Sequence, residues 1–303
     1  MTMNKKCIIL GGNGFIGSNL IKYLSNYEFD ITSFDKEEPM NRISNVRYLQ
    51  ADFTDDNKLL SAVQGQDIII HLISSTNPSK SIENPYSGYN IDVIQTIKIL
   101  EKVKNTDSKV IFASSGGTVY GEPESCPIKE QHELNPISHY GIVKTTIEHI
   151  INMYNSVYGM NNIIMRISNP YGPGQDYRKG VGLIDAVIKK ALQNEVITVW
   201  GDGNVIRDYI YIDDLCTAIL ELCRYTGNEK VFNIGSGKGY SINNILEIVE
   251  EIIKKDLKVE YLNSRKNDIK YIYLNIELLQ KALNFTPQTD INKGIKLYLD
   301  SLN

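Results

Sequence analysis

The stretch Cys7-Ile8-Ile9-Leu10-Gly11-Gly12-Asn13-Gly14-Phe15-Ile16-Gly17 decides the fold. Four apolar residues form a short strand, three spaced glycines follow, and Phe15 to Leu24 continues with helical periodicity. A strand that turns through glycines into a helix suits a phosphate. Gly11 permits the tight turn, Gly14 lets the backbone approach a pyrophosphate, and Gly17 lets helix and strand pack closely. Phe15 and Ile16 open a helix whose free N–H groups and partial positive charge face the anion.

Asp35 follows the strand-like Ile31–Phe34, about 20 residues beyond the loop. A carboxylate there meets the ribose 2′-hydroxyl of a dinucleotide, so NAD is the expected cofactor. Lys36 and Arg42 stand close behind and suit the extra phosphate of NADP, which stays open. Asp52 and Phe53 follow the strand Val46–Gln50 and are expected to flank the adenine.

Outward from the loop, strand and helix patterns alternate. Asp55–Val63 reads as a helix, Ile68–Leu72 as a strand, Tyr89–Val103 as a helix and Val110–Ala113 as a strand. A long helix at Tyr140–Tyr154 and a strand at Asn162–Ile167 follow. Beyond these, loops rich in Gly, Pro and Asn alternate with helices at Leu183–Gln193, Asp213–Arg224 and Ile242–Lys254. Strand-like pieces at Ile197–Trp200, Val231–Ile234 and Lys258–Tyr261 lie between them. The expected fold class is α/β: a Rossmann-type doubly wound parallel sheet with a smaller C-terminal α/β substrate-binding region. The expected division is 1–168 for the dinucleotide and 169–303 for the substrate, with some segments interleaved.

Bulk properties narrow the function. The 303 residues are 42% hydrophobic, enough for a large core. With 32 basic and 36 acidic residues, net charge −4, no basic excess points to nucleic acid or to an anionic membrane. No apolar run approaches the ~20 residues a membrane span needs. Cys7, Cys126, Cys216 and Cys223 lack metal-ligand spacing, so no metal site is expected. A reduced, cytoplasmic protein is the simplest reading.

Tyr140 and Lys144 stand four apart on one helix face. A lysine and a cationic nicotinamide beside a phenol both favour the phenolate, which makes Tyr140 the expected acid/base. Upstream, Ser114-Ser115-Gly116-Gly117-Thr118-Val119-Tyr120 follows a strand end and offers hydroxyls to a substrate oxygen.

These motifs together resemble the extended short-chain dehydrogenase/reductase superfamily and, within it, the nucleotide-sugar epimerases and dehydratases. Further residues carry the resemblance: Thr118-Val119-Tyr120-Gly121, Asn169-Pro170-Tyr171-Gly172-Pro173-Gly174, Trp200-Gly201-Asp202-Gly203, Arg207-Asp208-Tyr209 and Phe232-Asn233-Ile234-Gly235. The resemblance implies that Leu72, Ile73 and Ser74 pass beneath the cofactor and that Lys144 binds the nicotinamide ribose. It implies that Asn169 and Arg207 hold the sugar-nucleotide diphosphate, with Arg265 and Asp268 as a second contact. It also implies a homodimer built on two long helices of the first domain.

The sequence departs from the pattern in places. Galactose-type epimerases commonly carry a serine where this chain has Gly116, so the relay hydroxyl falls to Thr118 or Ser115, with Thr118 preferred. The Asp-Glu pair of the 4,6-dehydratases is replaced by Gly117-Thr118, which argues against dehydration. His139 reads as a loop residue, and Ile272 falls near the position that gates sugar size. The expected activity is NAD-dependent 4-epimerisation of a UDP-hexose through a 4-keto sugar. The alternatives are an NAD(P)H-dependent 4-reductase of a 4-keto-6-deoxy nucleotide sugar and a non-catalytic dinucleotide-binding regulator.

Overall fold

The computed structural model describes residues 4–264 and 269–302. Its first half lays down six parallel strands: β1 (Lys5–Leu10), β2 (Phe29–Asp35), β3 (Val46–Gln50), β4 (Ile68–His71), β5 (Lys109–Ser115) and β6 (Ile163–Ile167). The helices between them are α1 (Phe15–Leu24), α2 (Asp56–Val63), α3 (Lys80–Glu83), α4 (Ile94–Val103) and α5 (His139–Tyr158). A π-helical turn, Gly88–Val93, leads into α4.

The second half continues with β7 (Asn169–Tyr171), α6 (Leu183–Gln193), β8 (Ile197–Trp200), β9 (Ile206–Tyr211) and α7 (Ile212–Arg224). Next come β10 (Val231–Ile234), β11 (Gly239–Ser241), α8 (Ile242–Ile253), β12 (Val259–Leu262), β13 (Tyr271–Ile272), α9 (Glu277–Leu283) and α10 (Ile291–Asp300).

The large sheet runs β10-β6-β5-β4-β1-β2-β3 and is parallel throughout. Its strands are apolar on both faces because helices cover both. Cys7 and Ile9 of β1 enter one core with α1 and α7; Ile8 and Leu10 enter the other with α2, α4 and α5. The strand order reverses between β1 and β4, which opens a crevice at their carboxyl ends. Strand β10 lies well beyond residue 168 yet completes this sheet beside β6.

A smaller sheet, β11-β9-β13 with β7 also on β9, gathers the second half. Asp208 of β9 ties it together. Its buried carboxylate accepts from Ser236 N (2.7 Å) and Oγ (2.8 Å), Gly237 N (3.2 Å) and Leu274 N (3.2 Å).

Candidate active site

The glycine loop sits at the crevice. Gly11 has φ +85, a conformation that a β-carbon would strain, and its N–H donates to Phe34 O at the end of β2 (2.8 Å). A β-carbon at Gly17 would stand 2.2 Å from Gly11 O, so only glycine lets the helix start so close to the loop. Gly14 caps α1 with no side-chain hydrogen bond, and a β-carbon there would meet only Gly11 O, at 3.4 Å. The first N–H groups of a ten-residue helix therefore face an approach open to an anion. The loop fits a pyrophosphate.

Asp35 closes the loop from the side. It accepts from Asn13 N and Glu37 N, each at 3.0 Å. Lys36 is exposed. Arg42 is drawn into an ion pair with Glu38 (2.7 Å). Asp52 is exposed and accepts from Thr54 N (2.8 Å) and Oγ1 (2.6 Å). The Phe53 ring is turned into the core, 5.3 Å from the His71 ring, so it leaves its backbone and not its face for a base. Leu72, Ile73 and Ser74 run out of β4 across the crevice, and Ile73 packs against Gly11.

The start of α5 supplies the reactive groups. Ser138 caps the helix by accepting from Gly141 N (3.1 Å), so His139 is its first helical residue and not part of a loop. The His139 ring meets Tyr89, whose hydroxyl lies 3.1 Å from Nδ1. A β-carbon at Gly141 would be 2.7 Å from Thr118 O, so the helix start lies directly on the loop after β5.

The Ser115 hydroxyl neighbours the Tyr140 phenol and favours its ionised form. Tyr140 is half-buried. Thr118, preferred from sequence, keeps its Oγ1 buried with no partner among the described residues. The geometry thus brings Ser115, not Thr118, to the phenol. Gly116 has a steric reason: a β-carbon there would stand 2.7 Å from Leu274 Cδ1 and 3.0 Å from Arg166 O.

Lys144 is 2% exposed, and its Nζ donates to Ala113 O (2.8 Å). The ammonium lies 5.6 Å from the Tyr140 ring centre and 4.7 Å from that of Phe112. Burial pushes the Tyr140 phenol up to about 12, reinforced by the Asp92 charge and opposed by Ser115. Burial also pulls Lys144 down to about 8, against the pull of Asp92 and Glu148. Without a bound cation, desolvation wins and the phenol stays protonated.

Across the crevice, Asn169 and Arg207 lie on neighbouring strands. Asn169 pairs with Tyr209, two residues from Arg207, so the side chains of Asn169 and Arg207 share a sheet face. Asn169 Nδ2 donates to Asp208 O (2.8 Å), and Arg207 donates to Ile206 O (2.9 Å) and Ile269 O (2.8 Å). Ile272 is buried in β13, opposite Arg207. Arg265 and Asp268 lie outside the described residues. Among the described residues no three His, Cys, Asp or Glu side chains cluster to hold a metal.

Sequence reasoning missed two groups around this pair. Asp92, beside Tyr140 and Lys144, is an acid between the apolar Ile91 and Val93, and that isolation was its one signal. Glu148 and Arg166 form a buried ion pair (2.7 Å) one turn beyond Lys144, and Ser114 bonds to Glu148. Nothing in sequence pairs a helix with a strand so far along the chain.

Chemistry of this kind, hydride transfer over a glycine loop with a phenol and a lysine to move the proton, belongs to the dinucleotide-dependent short-chain oxidoreductases. Within that class, the chain belongs to the NAD dependent epimerase/dehydratase family, whose model matches residues 7–235. It is 35% identical over 296 residues, 95% of each chain, to a Methanocaldococcus jannaschii protein provisionally assigned as a UDP-glucose 4-epimerase. It superposes with TM-score 0.91 on the UDP-glucose 4-epimerase of Thermotoga maritima with UDP-glucose, at 27% identity and 98% coverage of both chains. The UDP-glucose 4-epimerase of Thermus thermophilus in complex with NAD gives 0.90, at 25% identity, covering 97% of this chain and 98% of that one. The α/β fold, the NAD cofactor and the enzymatic character expected from sequence agree with these findings.

Proposed function

We propose that the chain interconverts the C4 epimers of a UDP-hexose by transient oxidation to the 4-keto sugar. The observation that carries this reading is the Tyr140 phenol beside Ser115 with the buried Lys144 ammonium 5.6 Å from its ring centre, next to a glycine loop fit for a pyrophosphate. When bound, NAD supplies the hydride acceptor and donor. Gly11, Gly14, Phe15, Ile16 and Gly17 hold its pyrophosphate, and Asp35 takes the adenosine ribose. NAD is favoured over NADP because Asp35 occupies that position and Arg42 is engaged with Glu38. Lys144 holds the nicotinamide ribose. Tyr140 removes the C4 hydroxyl proton, with Ser115 bridging phenol and sugar oxygen, and later returns it. Asn169 and Arg207 anchor the diphosphate while the keto sugar turns over and presents its other face.

Two further features belong to this reading. Ile142, Met153 and Val157 are exposed on α5 and Ile94 on α4, and these helices are proposed to pair with their copies in a homodimer. Sedimentation at micromolar concentration should show twice the chain mass. The four cysteines are all free, which suits the reducing cytoplasm where nucleotide sugars are handled.

The purified protein, given UDP-glucose and no added NADPH, should form UDP-galactose. If UDP-glucose gives no epimer while a 4-keto-6-deoxy nucleotide sugar consumes one NADPH per sugar reduced, the protein is instead a 4-keto-sugar reductase. A Tyr140→Phe variant should lose about 10²- to 10⁴-fold in turnover while still retaining NAD. Undiminished turnover in that variant would remove Tyr140 from the reaction.

A further inference from the structure

The segment 172–182, between β7 and α6, runs across the crevice at the carboxyl ends of β1 and β4. At its start, Pro173 O accepts from Asn19 Nδ2 (2.9 Å), and the same amide donates to Phe15 O (2.9 Å) in the first turn of α1. A β-carbon on Gly174 would stand 4.0 Å from Cδ2 of the Phe15 ring. Towards its far end, a β-carbon on Gly180 would stand 3.8 Å from Nδ2 of Asn77, in the loop that follows β4. Helix α1 follows β1, so the segment bridges the two strands between which the sheet order reverses. Phe15 also opens the helix whose N-terminus faces the proposed pyrophosphate site, and a dinucleotide seated there lies beneath the segment.

The middle of the segment is held from a third side, by α6. Asp185 is fully buried. Its Oδ2 accepts from Tyr177 N (2.7 Å), in the short helical turn Tyr177–Lys179. Its Oδ1 pairs with Lys189 Nζ (2.7 Å) and receives the hydroxyl of Tyr298 from α10. Lys189 in turn donates to Gln175 O (2.7 Å). A buried carboxylate needs a counter-charge and donors. Here they come from α6, from α10 and from the backbone of the segment, so lifting the segment takes a donor away from a buried charge.

We propose that Asp185 is a positioning residue: through Tyr177 N and through the Lys189 bond to Gln175 O, it holds segment 172–182 as a strap over the dinucleotide and keeps the cofactor in place while the keto sugar turns over.

The purpose of such a strap rests on the epimerase reading. That reaction hands the hydride back to the same sugar, so the cofactor stays bound in both its oxidised and its reduced form. A reductase releases its cofactor at every turn, and a strap pinned by a buried charge would slow it. None of the bonds that fix the strap involves Tyr140, Lys144 or Ser115, so retention of the cofactor is separable from the chemistry.

The test reads release of the cofactor and needs no turnover. Protein loaded with NAD is mixed with an excess of NAD glycohydrolase, which destroys whatever leaves, and the NAD still on the chain is followed with time. Asp185→Asn keeps the shape of the side chain and removes its charge. It should release NAD about 10- to 100-fold faster than wild type, because a hydrogen bond to a charged group is lost from the closed form alone. Trypsin cleavage after the exposed Arg178 should quicken as well, because it reports the strap lifting. Tyr298→Phe removes one donor to the same carboxylate from the other side. It should speed both processes and serves where Asp185→Asn does not fold. A folded variant that releases NAD at the wild-type rate overturns the proposal even if trypsin cuts it faster, since Asp185 then only anchors a surface loop. Faster release from the variants of a protein that epimerises no UDP-sugar supports the role of Asp185 and discards the epimerase reading instead.

Discussion

At position 116 the space for a side chain is already taken. Leu274, itself fully buried, places Cδ1 2.7 Å from where a β-carbon would stand. Gly116→Ser should therefore cost about 1–3 kcal/mol by overpacking, read as a lower Tm. Leu274→Ala opens that space, so a double-mutant cycle should show the two changes costing less together than their sum. Strict additivity would mean that the leucine is not the obstacle. A second prediction at this scale concerns Lys144. Its folded value, about 8, lies below the ordinary 10.5, so the folded chain gives up this proton first. Between those values the unfolded chain binds more protons at this site, and the group's contribution to stability rises with pH. Below about 8 the buried ammonium carries its full desolvation cost. Urea unfolding of the wild type and of Lys144→Met should thus diverge in the wild type's favour as pH rises through that window. Parallel curves would show that the lysine is not desolvated. Tyr140, Lys144 and the loop glycines were legible in sequence because each is a short-range pattern. The choice between Ser115 and Thr118 was not, because it depends on how the loop after β5 folds back onto α5.

At the scale of elements, α5 is pinned to the sheet by Glu148 and Arg166. The pair is 1% and 6% exposed, and Arg166 also donates to Tyr120 OH (3.0 Å) and Glu130 O (2.8 Å). Removing one partner strands a buried charge. Glu148→Gln should lower stability by about 3–5 kcal/mol by denaturant unfolding, with Tyr140 and Lys144 still present. A loss below about 1 kcal/mol would mean that water reaches the guanidinium. The strands and helices of the first half, the four-residue α3 apart, followed from their apolar patterns, because they pack on uniform apolar faces. The small sheet was harder to read. Strands β7, β11 and β13 are three, three and two residues long, too short to show alternation, and their partners lie far along the chain. The helix Tyr89–Val103 was expected as one piece. Its first turns are π-helical, an i→i+5 pattern that apolar spacing does not report.

At the scale of the molecule, the expected division at residue 168 came with interleaved segments, and β10, beyond that residue, lies in the large sheet. Asn233 of β10 gives its Nδ2 to Ile128 O (2.8 Å), and its Oδ1 receives Tyr120 OH (2.6 Å). A late strand is thus fastened to the loops that follow β5. Sequence marked Val231–Ile234 as a strand, but which sheet it joins is settled by those distant partners.

That placement has a consequence for how the chain comes off the ribosome. Until residue 234 has emerged, the β6 edge shows a row of unpaired backbone donors and acceptors to the cell. A fragment ending at residue 168 should accordingly aggregate beyond the dimer, seen by light scattering, where the full chain does not. A fragment that stays no larger than a dimer, with native circular dichroism, would show that the edge protects itself. The sheet that holds the cofactor is a promise made early in synthesis and kept only when more than three quarters of the chain has been made.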